Sequence, residues 1–223
     1  MIQKLINFFK YKLFGAEIKK TKLTKLIANS HPLILEIGAN RGTDSEEFLR
    51  IFPNARLFLF EPDPRMIKVL QSKFHGDKRV RIEKVALSDK QGISSFFLSE
   101  SSTGVGGKDS SSLKEPKKHL EIYPEINFNK KIGVKTNTLD NWARKNKVKL
   151  IDFIWADVQG AEKELITGGK DTLNNRTKYF YTEFYNQELY KGQINLNQIR
   201  ALLPSFKIVG IWGNNVLFKN KRL

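Results

Sequence analysis

One pattern near the start of the chain most constrains its fold: two short apolar runs separated by an amphipathic stretch. The first run, Leu33–Ile37, is followed by a turn with a glycine at each end, Gly38–Gly42. The second run, Leu57–Phe60, is followed by Glu61. Residues 43–52 between them carry apolar side chains at helical spacing. This order is typical of a βαβ unit, which binds nucleoside-sized ligands at the carboxyl ends of its strands.

The rest of the chain repeats this alternation of strands and helices. It predicts an α/β fold around a mostly parallel sheet, with no internal repeat and no second domain after residue 31. A turn at residues 213–215 predicts a hairpin between the last two strands. The predicted additional strands are Arg79–Ala86, Ile132–Thr136, Ile151–Ala156, Tyr179–Glu183, Phe206–Trp212 and Val216–Lys219.

Two local patterns add further expectations. Thr43–Glu46 has the spacing of a capping box, which predicts a helix start at this point. Ser99–Ser112 consists almost entirely of Ser, Gly, Thr and Lys, which predicts a mobile loop. Because long loops in compact domains are often functional, a lid over a site is the preferred interpretation of this segment.

Composition limits the chemistry that this chain can perform. With no cysteine, disulfides, thiolate catalysis and sulfur-ligated metals are excluded. No apolar run approaches the roughly 18 residues needed to cross a bilayer, and the N-terminus lacks the pattern of a secretory signal. We therefore expect a cytoplasmic protein.

The net charge of +16 would suit nucleic acid, an anionic membrane or a polyanionic substrate. The lysines are nevertheless spread along the chain except in residues 1–30, so a solvated basic surface is the preferred interpretation. We expect residues 1–30 to form a basic amphipathic helical segment, before a single domain at 31–223. The apolar side of that segment would lie on an acidic membrane, at the inner face, or pack against the domain or a partner.

The turn after the first strand discriminates between two kinds of nucleoside ligand. A dinucleotide requires the pattern G-x-G-x-x-G, whereas here Gly38 and Gly42 are separated by three residues. Asp44, Glu46 and Glu47 would also repel a pyrophosphate at the start of the following helix. S-adenosylmethionine has no phosphate and carries positive charge, so it fits this pattern better. Glu61 would then accept hydrogen bonds from both ribose hydroxyls.

At this point the sequence resembles the FkbM family of S-adenosylmethionine-dependent methyltransferases over most of its length, from about residue 33 to 219. The resemblance implies a Rossmann-like class I methyltransferase fold: a seven-stranded, mostly parallel sheet with an antiparallel last strand and helices on both faces. It also implies methyl transfer to a hydroxyl of a sugar, a glycolipid or glycan, or a secondary metabolite. The matching segments are Glu36–Gly42, Phe60–Pro64, Ala86–Asp89, Ser111–Leu113, Thr138–Asp140 and Asp157–Glu162.

These motifs and the strand ends give a predicted set of functional residues. The predicted cofactor contacts are Glu36, Gly38, Ala39, Asn40, Gly42, Thr43, Glu61, Pro62, Ala86, Leu87 and Asp157. Asp157 follows the central strand, so it is also the first choice for a base that takes the proton of the acceptor hydroxyl. Glu183, which ends the neighbouring strand, is the second choice, and His119 is a third candidate.

Several alternatives remain open from the sequence. No His and carboxylate spacing specifies a metal, although Asp140, Asp157 and Glu183 are the carboxylates that could converge on a divalent ion. A nucleic-acid methyltransferase would explain the basic charge, but Asp157 is not followed by the Pro-Pro-aromatic pattern of many such enzymes. A non-catalytic, membrane-peripheral protein with a cofactor-like pocket is the third alternative. The oligomeric state is not predicted.

Overall fold

The computed structural model describes residues 17–102 and 107–223, which contain two sheets. The expected amphipathic helix at the N-terminus lies largely outside the described residues. The strands are β1 (Leu33–Ile37), β2 (Arg56–Phe60), β3 (Val80–Glu83), β4 (Ala86–Leu87), β5 (Gly92–Ser101), β6 (Ile126–Asn137), β7 (Ile151–Ala156), β8 (Thr177–Glu183), β9 (Phe206–Trp212) and β10 (Asn215–Asn220).

The described helices are short. After a 3₁₀ turn at Lys20–Lys22 they are α1 (Leu23–Ile27), α2 (Thr43–Ile51), α3 (Pro64–Lys73), α4 (His119–Ile122), α5 (Leu139–Lys145), α6 (Glu162–Gly168), α7 (Lys170–Arg176) and α8 (Leu196–Leu202). Among residues 17–102 and 107–223, no helix has the length and hydrophobicity to cross a membrane.

The larger sheet has seven strands in the order β3-β2-β1-β7-β8-β10-β9. Neighbours from β3 to β8 are parallel, whereas β10 runs antiparallel to both β8 and β9. The predicted α/β fold, with its reversed last strand, is therefore confirmed. The strand order changes direction between β1 and β7, and the crevice at such a switch point is where open α/β sheets bind ligands.

Two apolar clusters cover the two faces of this sheet. One contains residues of α5, α6, α7 and α8, and the other contains residues of α1, α2 and α3. Ile18, Leu23 and Ile27 are buried in the second cluster, so residues 17–29 pack against the sheet. The domain boundary predicted at residue 30 stays a prediction.

The smaller sheet, β4-β6-β5, corrects two expectations. The strand predicted at Arg79–Ala86 is wrong in extent, because β3 ends at Glu83 and Ala86 begins a separate strand that pairs with β6. The Ser99–Ser112 segment is not a loop throughout, because Ser99 to Ser101 belong to β5 and Ser112 pairs with Phe97. Residues 103–106 lie outside the described part.

The predicted capping box at Thr43–Glu46 is also wrong. The N-cap of α2 is Gly42, in the left-handed conformation, and no side chain caps the helix. The helix nevertheless begins at Thr43, as predicted. A left-handed glycine at this position takes the backbone directly from the turn into the helix.

Candidate functional site

Gly38 allows β1 and β7 to meet at the carboxyl edge of the sheet. The Asp157 amide donates a hydrogen bond to the Ile37 carbonyl at 2.9 Å. Gly38 has a φ of +87°, and a Cβ at this position would lie 1.9 Å from the Asp157 carbonyl oxygen. Only glycine can therefore occupy this position without moving the backbone of one strand.

Gly42 has a different role, in packing. Its φ is +71°, and a Cβ would lie 2.8 Å from the side chain of Leu70, in α3, and 2.6 Å from that of Phe74, the C-cap of α3. Asn40, between the two glycines, also has a positive φ of 48°. This conformation directs its backbone amide toward Glu61, which accepts a hydrogen bond at 2.7 Å.

Glu61 is a buried carboxylate held by the backbone. Besides the Asn40 amide, the Asp63 amide donates to its other oxygen at 2.8 Å. Only 5% of the residue is exposed, and burial raises the pKa of Glu61 to about 7. Each carboxylate oxygen can accept a second hydrogen bond, so Glu61 can receive two ligand hydroxyls without losing either backbone contact.

A cavity of about 610 Å³, counted to its open mouth, lies beside Glu61; we call it the glycine-turn cavity. Its polar residues include Gly38, Asn40, Glu61, Asp63, Lys108, Asp109, Ser111, Asp157 and Gln159. Its apolar residues are Ile37, Phe60, Pro62, Met66, Val85, Ala86, Leu87, Phe96, Leu113, Val158 and Ala161. A lining that combines apolar side chains with polar groups suits a ligand with an apolar base and a polar ribose.

The structure brings together most of the predicted cofactor contacts, but not all of them. Glu36, Ala39, Gly42 and Thr43 do not line the glycine-turn cavity. Glu36 is buried away from it and accepts a hydrogen bond from the Ser45 hydroxyl at 2.5 Å. Burial raises the pKa of Glu36 well above its usual value. Thr43 is exposed. Their role in cofactor binding stays a prediction.

The acids at the start of α2 already have cationic partners. The ammonium of Lys20 lies 2.6 Å from Asp44 and 3.3 Å from Glu47, and Lys73 lies 2.8 Å from Glu46. Lys20 itself is 5% exposed. Two lysines therefore balance part of the charge of these three acids, which weakens their expected repulsion of a pyrophosphate without removing it.

Lys108, Asp109 and Ser111, in the described part of the Ser99–Ser112 segment, line one side of the glycine-turn cavity. The side-chain amide of Asn40 donates to the Asp109 carboxylate at 2.9 Å, and the Arg65 guanidinium donates to the Ser111 hydroxyl at 3.2 Å. Arg65 also forms an ion pair with buried Asp63 at 2.6 Å. Within the described residues, the side-chain oxygen of Asn40 is buried and has no hydrogen-bond partner, which is typical of a group that faces a ligand.

A second cavity adjoins the first and shares Asp109, Asp157 and Gln159 with it. We call it the His119 cavity. It measures about 940 Å³ to its open mouth. The complete lining is Gly107, Asp109, Ser110, His119, Tyr123, Glu125, Ile126, Asp157, Gln159, Glu183, Tyr185 and Leu189. The three predicted catalytic candidates therefore line one cavity, and Asp157 lies between the two.

Asp157 and Glu183 are held by neutral partners. The Gln159 side-chain amide donates to Asp157 at 2.6 Å, and the Tyr185 hydroxyl donates to Glu183 at 2.9 Å. Burial raises the pKa of Asp157 to about 6. Burial, together with the nearby charge of Asp157, raises the pKa of Glu183 well above its usual value. An oxygen base with a raised pKa is better suited to accept a proton near neutral pH.

His119 is enclosed by aromatic rings. Its ring centroid lies 4.9 Å from that of Tyr123, 5.2 Å from that of Phe128 and 5.4 Å from that of Tyr190. Only 3% of the residue is exposed, and burial lowers the pKa of His119 to about 4. The neutral ring can donate or accept a hydrogen bond, but it is a weak base for a proton at neutral pH.

Asp140 does not join the other carboxylates. It accepts hydrogen bonds from the Asp171 and Thr172 amides at 3.1 and 2.7 Å, at the start of α7. Within the described part of the chain, no group of three or more His, Asp or Glu side chains is placed to hold a metal ion. The suggested convergence of Asp140 with Asp157 and Glu183 is therefore wrong.

Sequence reasoning missed the groups that orient Asp157. Gln159 has a φ of +48°, and its side-chain oxygen accepts a hydrogen bond from the Tyr190 hydroxyl at 2.9 Å. Its backbone carbonyl accepts one from the Ser112 hydroxyl at 2.6 Å. Gln159 stands two positions after Asp157 in the motif at 157–162, which was the available signal. Nothing in the sequence pointed to Tyr190, and Asp109 was indicated only as part of the lid expected at Ser99–Ser112.

Comparisons with known protein sequences identify the family of this chain. The model of the methyltransferase FkbM domain matches residues 36–208. The 2-O-methyltransferase NoeI of Sinorhizobium fredii (strain NBRC 101917 / NGR234) is 41% identical over 208 residues, which cover 91% of this chain and 85% of that protein.

Solved structures are more distantly similar. An S-adenosylmethionine-dependent methyltransferase from Aquifex aeolicus has a TM-score of 0.49 and 11% identity, over 98% of this chain and 95% of that one. Fibrillarin from Aeropyrum pernix, in complex with natively bound S-adenosylmethionine, has a TM-score of 0.47 and 12% identity, over 85% and 66%. The family match covers most of the chain, and a relative with high identity agrees with it. The chain therefore belongs to the FkbM methyltransferase family, and its methyl donor is S-adenosylmethionine.

Proposed function

We propose that this enzyme transfers a methyl group from S-adenosylmethionine to a hydroxyl of a sugar, either free or within a glycan. The main support is the contact between the two cavities, which share Asp157, Gln159 and Asp109. A donor in one cavity and an acceptor in the other would meet at Asp157. The name of the relative NoeI, a 2-O-methyltransferase, supports an oxygen acceptor.

The glycine-turn cavity would hold the methyl donor. Glu61 would accept hydrogen bonds from the two ribose hydroxyls, since both of its oxygens keep free acceptor capacity. Phe60, Met66 and Leu87 offer apolar surface for the base. The unpartnered side-chain oxygen of Asn40 would accept from a donor group of the ligand. When bound, S-adenosylmethionine supplies an electrophilic methyl group on a sulfonium, an excellent leaving group.

The residues of the His119 cavity would orient the acceptor and receive its proton. A sugar hydroxyl is a poor nucleophile, so a base that takes the proton during the reaction accelerates transfer. Asp157 lies at the junction of the cavities and would serve as this base, with Glu183 as the second candidate. Most of the remaining catalysis would come from alignment of the hydroxyl with the methyl group.

A screen of acceptors tests the proposed function. The full chain is incubated with S-adenosylmethionine carrying a labelled methyl group and with a panel of mono- and oligosaccharides. The products are then analysed by mass spectrometry and NMR. We expect a base-stable methyl ether on one sugar hydroxyl. A base-labile methyl ester, an N-methyl product, or transfer only to non-sugar acceptors would contradict the proposal.

A further inference from the structure

The lining of the His119 cavity has a charge opposite to that of the protein. The chain carries a formal net charge of +16, yet among the described residues no Lys or Arg lines this cavity. Four carboxylates do: Asp109, Glu125, Asp157 and Glu183. A basic protein that keeps its cations away from one cavity provides a local environment very different from its surface.

The two deepest carboxylates of this cavity are not neutralised by a cation. In residues 17–102 and 107–223, no ion pair includes Asp157 or Glu183, and their side-chain partners are the Gln159 amide and the Tyr185 hydroxyl. Asp109 differs, because it has a cationic partner: the Arg41 guanidinium lies 3.6 Å from its carboxylate. Arg41 is 44% exposed, so this ion pair lies at the surface. Within the described residues, the end of the cavity near β7 and β8 therefore offers oxygen acceptors and no cation that could pair with an anion.

His119 brings a polar atom without a protein partner to the lining of the cavity. Its Nδ1 is buried and, within the described residues, has no hydrogen-bond partner. Such atoms are rare in folded proteins, and a ligand hydroxyl or amine would remove the cost of burying this one. Because burial keeps the ring neutral at neutral pH, with a lowered pKa, His119 adds no positive charge that could bind an anion.

We propose that the His119 cavity selects sugars that are uncharged or carry an amine, and rejects sugars that carry a carboxylate or a phosphate. This inference rests on the proposed function, which makes the cavity the acceptor site. An anion that enters would lose its hydration and face Asp157 and Glu183, without a cation to compensate. Hydroxyl and ammonium groups would instead find acceptors on these carboxylates.

The test uses three ligands that share one ring: methyl glucoside, methyl glucosaminide and methyl glucuronide. Each is titrated at pH 7 into the full chain saturated with S-adenosylhomocysteine, and the histidine ring signals are followed by NMR. His119 is assigned by elimination with the exposed-site variants His31→Gln and His75→Gln. We expect the glucosaminide and the glucoside to shift the His119 signal with a Kd at least tenfold lower than that of the glucuronide.

Two substitutions at exposed glutamates of the same region form a matched pair, in which Glu125→Lys is the test variant and Glu121→Lys is its control. Glu125 lines the cavity, whereas Glu121 does not. Glu125→Lys should weaken binding of the glucosaminide and strengthen binding of the glucuronide, each severalfold, and Glu121→Lys should change neither. Equal affinities, tighter binding of the glucuronide, or no response of His119 to the glucosaminide would overturn the inference.

Failure of this charge preference and failure of the proposed function would give different results. If the acceptor screen yields no methylated sugar while His119 still discriminates between the ligands, the charge preference stands and the reaction does not. If sugars are methylated but uronides are methylated as well as their neutral counterparts, the reaction stands and the charge preference is wrong.

Discussion

The two cavities differ in how their carboxylates are held. In the glycine-turn cavity, Glu61 accepts two backbone amides and Asp63 is paired with Arg65. In the His119 cavity, Asp157 and Glu183 have only neutral side-chain partners. The pKa of Glu61 is raised to about 7 and that of Asp157 to about 6, so a raised pKa does not separate the two sites. Their positions do: Glu61 lines the glycine-turn cavity alone, which suits binding, whereas Asp157 lies where the two cavities meet, which suits chemistry.

The largest expected effect comes from the glycine on which both cavities depend. Gly38→Ala places a Cβ 1.9 Å from the Asp157 carbonyl, so β1 and β7 must separate. We expect a loss of more than about 3 kcal/mol in the free energy of unfolding, measured with urea. Gly76→Ala is the matched control, since Gly76 also has a positive φ of 79° but nothing within 4 Å. It should cost only about 1 kcal/mol. Equal losses would show that strand contact is not the cause.

Glu61→Gln tests the binding role of the glycine-turn cavity. Replacing a charged acceptor by a neutral amide should raise the Kd for S-adenosylmethionine about 10- to 100-fold, since hydrogen bonds to charged groups contribute about 1.5–3 kcal/mol. Calorimetry measures this directly. Glu183→Gln, in the other cavity, should leave the same Kd unchanged. A larger effect of Glu183→Gln would reverse the assignment of the two cavities.

Gln159→Glu tests whether the amide beside Asp157 sets the pH dependence of the reaction. In the unmodified enzyme Asp157 loses its proton near pH 6, so we expect the rate of methyl transfer to rise as the pH increases through this value. A second acid at 2.6 Å should raise the pKa of Asp157 and shift the profile upward by about one pH unit or more. An unshifted profile, with unchanged cofactor affinity, would exclude Gln159 as a positioning residue.

The last expected effect concerns stability rather than activity, at a buried acid that lines neither cavity. Glu162 is 1% exposed, and burial raises its pKa to about 8 from a usual value of 4.5. The folded state therefore holds a proton that the unfolded state releases, and stability should fall as the pH rises from about 4.5 to about 8. Glu162→Gln should reduce this fall in the free energy of unfolding by up to about 1.4 kcal/mol per pH unit. Unfolding experiments at pH 6 and pH 8 measure the difference. An identical pH dependence would show that Glu162 is already ionised.

The comparison also explains what the sequence could predict. The glycine-turn cavity is built largely from motifs that are continuous in sequence, so Gly38, Asn40, Glu61, Ala86 and Leu87 could be predicted to lie together. The direction of side chains within a motif was harder to predict. Glu36 alternates to the opposite face of β1, where Ser45 contacts it.

The His119 cavity is built from distant segments, which single-sequence patterns do not connect. Asp157 follows β7, Glu183 ends β8 and His119 begins α4. Their proximity was inferred only from strand ends and loop position. Tyr190 and Gln159 meet through a hydrogen bond between residues 31 positions apart, which has no local signature. The same reason explains the error at Asp140, whose acceptor oxygens face α7.

The most direct test of the account is the substitution Asp157→Asn, with cofactor affinity and methyl transfer measured on the same preparation. Asn keeps the size of the side chain but cannot take a proton. We predict a fall in kcat of about 10²- to 10⁴-fold, with the Kd for S-adenosylmethionine changed less than tenfold. Full turnover by the folded variant would contradict the claim that Asp157 receives the acceptor proton where the two cavities meet.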